Sequence, residues 1–244
     1  HEAYGVDFGQ NSWVTDDEFK EFLKWLHVDA QSSVLDIASG SGGPALHLAT
    51  ILGCQVTGLE INEHGVASAR EMAKAQNLDS HVSFRQGDAS QPLPFGEEVF
   101  DGIICIDAIN HLPYRDQIFA EWYRVLKPGG CAVFTDPIIV TGLLTSEEVA
   151  IRTGIGYFLL SSPGEDERLL KKTGFKLVHK KDVTENVGSV AKRRHDARAK
   201  FVDELVKLES KEGFEQAQRF FQVAEKVARE RRLSRFAFAA EKSI

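Results

Sequence analysis

The stretch VLDIASGSGGPALHLA, residues 34–49, constrains this chain more than any other. An apolar strand pattern runs into a glycine-rich turn, and a helical pattern starts directly after it. Such a unit aims backbone N–H groups at whatever sits before the helix, which suits a nucleotide-like ligand. Gly40, Gly42 and Ala45 satisfy G-x-G-x-x-A, a fingerprint that dinucleotide-binding folds also carry and that decides little alone.

The flanking pattern sets the fold class. Strand signals at QVTGLEI, HVSFRQ, FDGIICID and CAVFTD alternate with helical ones at 44–52, 63–76 and RDQIFAEWYRVL, the last stopped by KPGG. FDGIICID is apolar through its middle, as a strand covered on both faces should be. This alternation predicts a doubly wound α/β fold, a parallel sheet with helices on both faces. Ahead of it, TDDEFKEFLKWLH reads as an amphipathic helix burying Phe19, Phe22, Leu23 and Leu26, with Thr15 and Glu18 at capping-box spacing. Behind it, 165–173 reads as a helix ended by Gly174. FKLVHKKDVT is a strand, a long charged helical region follows, and RLSRFAFAAEK closes the chain as a strand.

A chain of 244 residues, 43% hydrophobic and 27% charged, fits one domain with an elaborated part. We read a cap and first helix over 1–28, a cofactor-binding core over 29–137, and the end of the sheet with a substrate region over 138–188. A helical lid covers 189–231 and a last strand 232–244. The formal charge of -7 argues against nucleic acid as a partner. No apolar run reaches membrane-spanning length and no signal peptide is visible. Cys54, Cys105 and Cys131 are far apart in apolar contexts, which suits a reduced, cytoplasmic protein. No cluster has metal-ligand spacing, so no metal is expected.

Four carboxyl-end positions choose the ligand. Asp36 precedes the glycines, where its charge would repel a pyrophosphate and attract an ammonium group. Glu60 ends the second strand, where a carboxylate takes both hydroxyls of a ribose. Asp88, in GDAS, follows the third strand, within reach of an adenine amino group. CIDAINHL puts Asp107, Asn110 and His111 after the fourth. Helix-capping or turn roles are the plainer alternatives for Asp36, Glu60 and Asp88.

In their order, LDIASGSGG, GLEI, GDASQPLPF, FDGIICIDAINHL, VLKPGGCAVFTD and LSRFAFAAEK resemble the class I S-adenosylmethionine-dependent methyltransferases, over residues 4–242. The resemblance implies a Rossmann-like sheet of seven strands whose last strand runs antiparallel, with S-adenosyl-L-methionine as cofactor. It implies a methionine-end site at Asp36, Ala38 and Gly40, a ribose site at Glu60, and an adenine site at Asp88 and Ala89 walled by Ile61. Ala38 stands where the family's first glycine is usual. In that family the N-terminal segment often folds over the cofactor. That would let Tyr4 stack on the sulfonium and Gln10 bond the cofactor's carboxylate end or the substrate.

Methyl transfer needs alignment, exclusion of water and, for a hydroxyl acceptor, removal of a proton. His111 is the candidate base. The Asp107-x-x-x-His111 spacing is similar to that of the phosphoethanolamine methyltransferases, with Asp107 as its catalytic and cofactor-side companion. For the acceptor, Asn110, His111 and Tyr157 are the expected contacts. The lid's cations Lys192, Arg193, Arg194 and Arg198 are expected on a solvated face balanced by Asp196 and the acids downstream, with Arg194 or His195 as the exceptions that would meet an anionic group. The expected activity is methylation of an oxygen or nitrogen of a small metabolite by a monomer or homodimer. A binding-only protein and a macromolecule methyltransferase are the rival readings.

Overall fold

A computed structural model describes residues 2–154 and 156–243. In chain order its elements are α1 (Asp16–Leu26), β1 (Ser33–Ile37), α2 (Gly43–Leu52), β2 (Gln55–Glu60), α3 (Glu63–Ala75), β3 (Val82–Gln86) and β4 (Phe100–Cys105). A single 3-10 turn (Ile109–His111) leads to α4 (Arg115–Val125), β5 (Leu126–Val140), α5 (Ser146–Thr153), α6 (Glu165–Thr173) and β6 (Phe175–Asp182). α7 (Thr184–Arg198), α8 (Val202–Arg229) and β7 (Leu233–Lys242) complete it.

The seven strands form one sheet in the order β3-β2-β1-β4-β5-β7-β6. β7 runs antiparallel to both of its neighbours, and the remaining pairs are parallel. The sheet is therefore the expected one, with its last strand reversed.

Strand side chains alternate between two cores, as the period of two requires. Val34, Ile104, Val133 and Ala239 face the core beneath α1, α2 and α3. Leu35, Ile37, Ile103, Phe134 and Phe238 face the core beneath α4 and α6. Trp122 and Phe119 fill the second core, edge-on to each other at 5.3 Å between ring centres. α7 and α8 form a third body around Val187, Val190, Phe220 and Phe221, to which the cap contributes Trp13.

Four local expectations change. Thr15 caps α1 without a side-chain bond, because Glu18 is drawn to Arg235. KPGG does not lie outside the sheet: Leu126 already pairs with Phe100, and the register shifts before Cys131 meets Gly102. The lid helices begin at Thr184, ahead of residue 189, and α8 kinks at Ser210. The substrate region after β5, where the expected elements include no helix ahead of residue 165, holds α5, closed by a capping box between Thr145 and Glu148. No described helix is long and apolar enough to cross a membrane.

Candidate active site

A cavity of about 550 Å³ opens at the carboxyl ends of the strands, where the order reverses between β1 and β4. Open α/β sheets take their ligands at that edge. Residues 38–41 after β1, 59–61 after β2, 87–90 after β3 and 106–108 after β4 form its walls.

The glycine turn is held open from below. The Gly40 N–H donates to Glu60 Oε2 at 2.9 Å, and the Asn62 N–H donates to Glu60 Oε1 at 2.8 Å. A carboxylate has about four acceptor positions, so Glu60 keeps capacity for hydroxyl donors in the cavity. Gly40 has φ +55°, and a methyl added to it would meet no protein atom within 4 Å. Ala38 also adopts positive φ, +55°, which is why a glycine is usual there. Ile61, 62% exposed, offers an apolar side chain to the cavity. Asp88 and Ala89 line it too, although Asp88 Oδ1 also accepts from the Ser90 N–H and hydroxyl as a turn residue.

The N-terminal segment closes one side. A methyl on Gly43 would fall 2.5 Å from the carbonyl of Gly9, so the cap lies directly on the start of α2. Phe8 stacks on His47 at 4.4 Å. Gly9, Asn11 and Ser12 reach the cavity.

Asp107 ties this cap to the sheet. Its Oδ2 accepts from the Trp13 N–H at 2.7 Å, and its Oδ1 accepts from the Thr135 hydroxyl at 2.7 Å and from Arg235 Nε at 2.6 Å. Arg235 is fully buried and also donates to Glu18 Oε2 at 2.7 Å. Burial pulls its pKa down, but Asp107 and Glu18 outweigh that and raise it, so the guanidinium stays charged.

His111 lies at a junction. It lines the main cavity and an inner chamber of about 250 Å³ beyond it. Its Nδ1 is 2.6 Å from the carbonyl oxygen of Tyr157. A carbonyl only accepts, so Nδ1 carries the proton and the Nε2 lone pair is left for a donor. The Asn110 amide fills that role at 3.3 Å. Phe158 sits edge-on to the imidazole at 4.6 Å.

The structure gathers Ala38, Gly40, Glu60, Ile61, Asp88, Ala89, Asp107, His111 and Tyr157 around the main cavity. Asn110 and Arg194 line the inner chamber, as Asp107 and His111 also do. Four expected residues line neither. Asp36 is 2% exposed behind the turn with Oδ2 unpartnered, and burial followed by the Glu60 charge pushes its carboxyl well above the usual range. The Tyr4 hydroxyl donates to Ser12 O at 2.8 Å and accepts from Arg194 at 3.2 Å. Gln10 is spent inside its own loop, on Phe8 N and Val6 O. His195 bonds Asp196 and Gln222 among the lid's own residues. Sequence reasoning missed Arg152, which lines the inner chamber. Its signal was one cation in the apolar run VAIRTGIGYFLL. Among the described residues, no group of three His, Cys, Asp or Glu is placed to hold a metal ion.

A family model described as a methyltransferase domain matches residues 35–134, the segment that builds these walls. The chain belongs to the class I S-adenosylmethionine-dependent methyltransferases. Methyltransferase GfsG of Streptomyces halstedii is 36% identical over 172 residues, covering 68% of this chain and 60% of that protein. The sterol 24-C-methyltransferase of Kluyveromyces lactis is 29% identical over 213 residues, covering 76% of this chain and 57% of the relative. The methyltransferase described here thus spans less than two thirds of the length of these relatives. Among solved structures, phosphoethanolamine N-methyltransferase 2 of Haemonchus contortus superposes with a TM-score of 0.85 at 24% identity, covering 99% of this chain and 56% of that one. That likeness shows the fold.

Proposed function

We propose that this protein transfers the methyl group of S-adenosylmethionine to a nucleophilic atom of a small metabolite seated in the inner chamber. The observation that carries the reading is the position of His111, which lines both cavities with its Nδ1 held on the Tyr157 carbonyl.

The residues present fit the cofactor. The Gly40 turn has open space where a side chain would be, Glu60 has spare acceptor capacity, and a main cavity of about 550 Å³ lies within the range of small-molecule sites. In this reading Ala38 and Gly40 hold the methionine end and Glu60 takes the ribose hydroxyls. Asp88, Ala89 and Ile61 border the adenine. Asp36 lies behind the turn, outside both cavities and with Oδ2 unpartnered, so it supports the turn rather than touching the cofactor. When bound, the cofactor supplies an already activated methyl group.

The chain does the rest. Gly9, Asn11 and Ser12 cover the cavity and exclude water. Asp107 is a positioning residue, since three protein donors occupy its carboxylate. His111 Nε2 takes a proton from the acceptor, whose O–H or N–H displaces the Asn110 amide from that lone pair, with Nδ1–H fixed on the Tyr157 carbonyl. Asn110 and Tyr157 border the acceptor. An oxygen or nitrogen acceptor suits a histidine base. The sterol relatives are named as carbon methyltransferases, which adds carbon to the atoms to be tested.

Calorimetry with S-adenosylhomocysteine tests the cofactor half. Glu60→Ala is expected to weaken binding by about 10-fold, the loss of a charge-assisted hydrogen bond, with the circular dichroism spectrum unchanged. An unchanged dissociation constant would count against the ribose contact.

A further inference from the structure

Arg152 is a cation the fold leaves uncompensated. It is 3% exposed, and its Nε and Nη1 are buried without a hydrogen-bond partner. No ion pair joins it to a carboxylate among the described residues, whereas the equally buried Arg115 and Arg235 each hold two. Its guanidinium lies over the rings of Phe220, at 4.6 Å, and Trp13, at 5.7 Å. Ring faces offset part of the desolvation of a buried cation but satisfy none of its N–H groups in its own plane.

Arg152 faces the inner chamber, and so does Arg194, which likewise has no carboxylate partner among the described residues and lies over Phe221 at 4.7 Å. Asp107 borders the same space and its charge acts on Arg152 from a distance, but its oxygens already accept from Trp13, Thr135 and Arg235. The chamber is thus small, aromatic-walled and net positive, and it opens on His111.

We propose that Arg152 anchors the acceptor through a compact oxyanion, a carboxylate or a phosphate carried on an apolar body, with Arg194 as second cation. This names the substrate class of the site and rests on the methyltransferase reading above. The anion satisfies the empty N–H groups, and the aromatic walls of Trp13, Phe158 and Phe220 hold the body so that the nucleophilic atom faces His111.

The test uses the full chain saturated with S-adenosylhomocysteine, titrated calorimetrically with benzoate, phenyl phosphate and neutral benzamide. At least one anion is expected to bind about 10-fold or more tightly than benzamide, as a hydrogen bond to a charged group provides. The tighter anion identifies which oxyanion is taken. Arg152→Met is expected to lose that preference, to keep its S-adenosylhomocysteine affinity within about twofold, and to melt no lower than the parent, because replacing an unpaired buried charge by an apolar group relieves desolvation. Arg194→Met is expected to weaken the preference in part. Equal binding of all three probes overturns the proposal, as does an Arg152→Met protein that keeps the preference or melts far lower. Normal S-adenosylhomocysteine binding with no anion preference overturns this proposal alone. Failure of the parent protein to bind S-adenosylhomocysteine overturns the cofactor reading and this one with it.

Discussion

His111 Nδ1 lies 2.6 Å from the carbonyl oxygen of Tyr157, a residue 46 positions later in the chain. That contact fixes the imidazole tautomer and leaves the Nε2 lone pair to the Asn110 amide at 3.3 Å, on a residue that lines both cavities. His111→Ala is expected to lower the rate of methyl transfer by about 100-fold, the lower end of what a positioned base contributes. Its affinity for S-adenosylhomocysteine should stay within about threefold. An unchanged rate would make His111 a structural residue.

Two of the positive-φ positions of the glycine turn, Ala38 and Gly40, should respond in opposite directions. Ala38 occupies a conformation that costs an L residue about 1 kcal/mol or more, and Gly40 occupies the same region without that cost. Ala38→Gly is expected to hold or raise stability by up to about 1 kcal/mol, the unfolded-chain entropy of glycine taking back part of the gain. Gly40→Ala is expected to lose about 1 kcal/mol, although nothing crowds the added methyl. Urea unfolding of both variants checks this. A clear loss of stability in Ala38→Gly would contradict it.

A second buried cluster, which lines neither cavity, makes stability depend on pH. Arg115 donates to both Asp136 and Asp166 at 2.6 Å. Burial, then the Asp136 charge, pushes the Asp166 carboxyl up against the pull of Arg115, to about 7. The folded state therefore binds the Asp166 proton more tightly than the unfolded chain, whose aspartates titrate near ~4. The stability this group contributes is complete below that value and is lost as pH rises through about 7. Asp166→Asn, which cannot titrate, is expected to flatten the fall in unfolding free energy between pH 5 and 8. Identical slopes in parent and variant would refute the assignment.

How much of this was legible in the sequence depended on how local the determining interactions are. The sheet was legible because its central strands are covered on both faces and read as apolar runs, and because Glu60 and the glycines sit next to the strand ends they serve. The paired motifs at Thr15–Glu18 and Thr145–Glu148 mark the limit. Both have the same spacing, yet only the second is a capping box. Arg235, 217 residues from Glu18, claims that carboxylate instead, and no local pattern announces it. The same distance effect hid the acceptor chamber. Arg152 matters because of what is missing around it, and that emptiness exists only once α5, α8 and the cap are brought together. Tyr4 and Gln10 line neither cavity for a related reason. Their polar groups are consumed by the cap's own folding and by Arg194.

The most direct measurement is to incubate the purified protein with methyl-labelled S-adenosylmethionine and a small-molecule metabolite extract, and to follow labelled products and S-adenosylhomocysteine by mass spectrometry. The expected result is a labelled small molecule that carries a carboxylate or phosphate, formed in step with S-adenosylhomocysteine and nearly absent with His111→Ala. No labelled product above the protein-free control, from protein shown to bind S-adenosylhomocysteine, would contradict methyl transfer to a small metabolite.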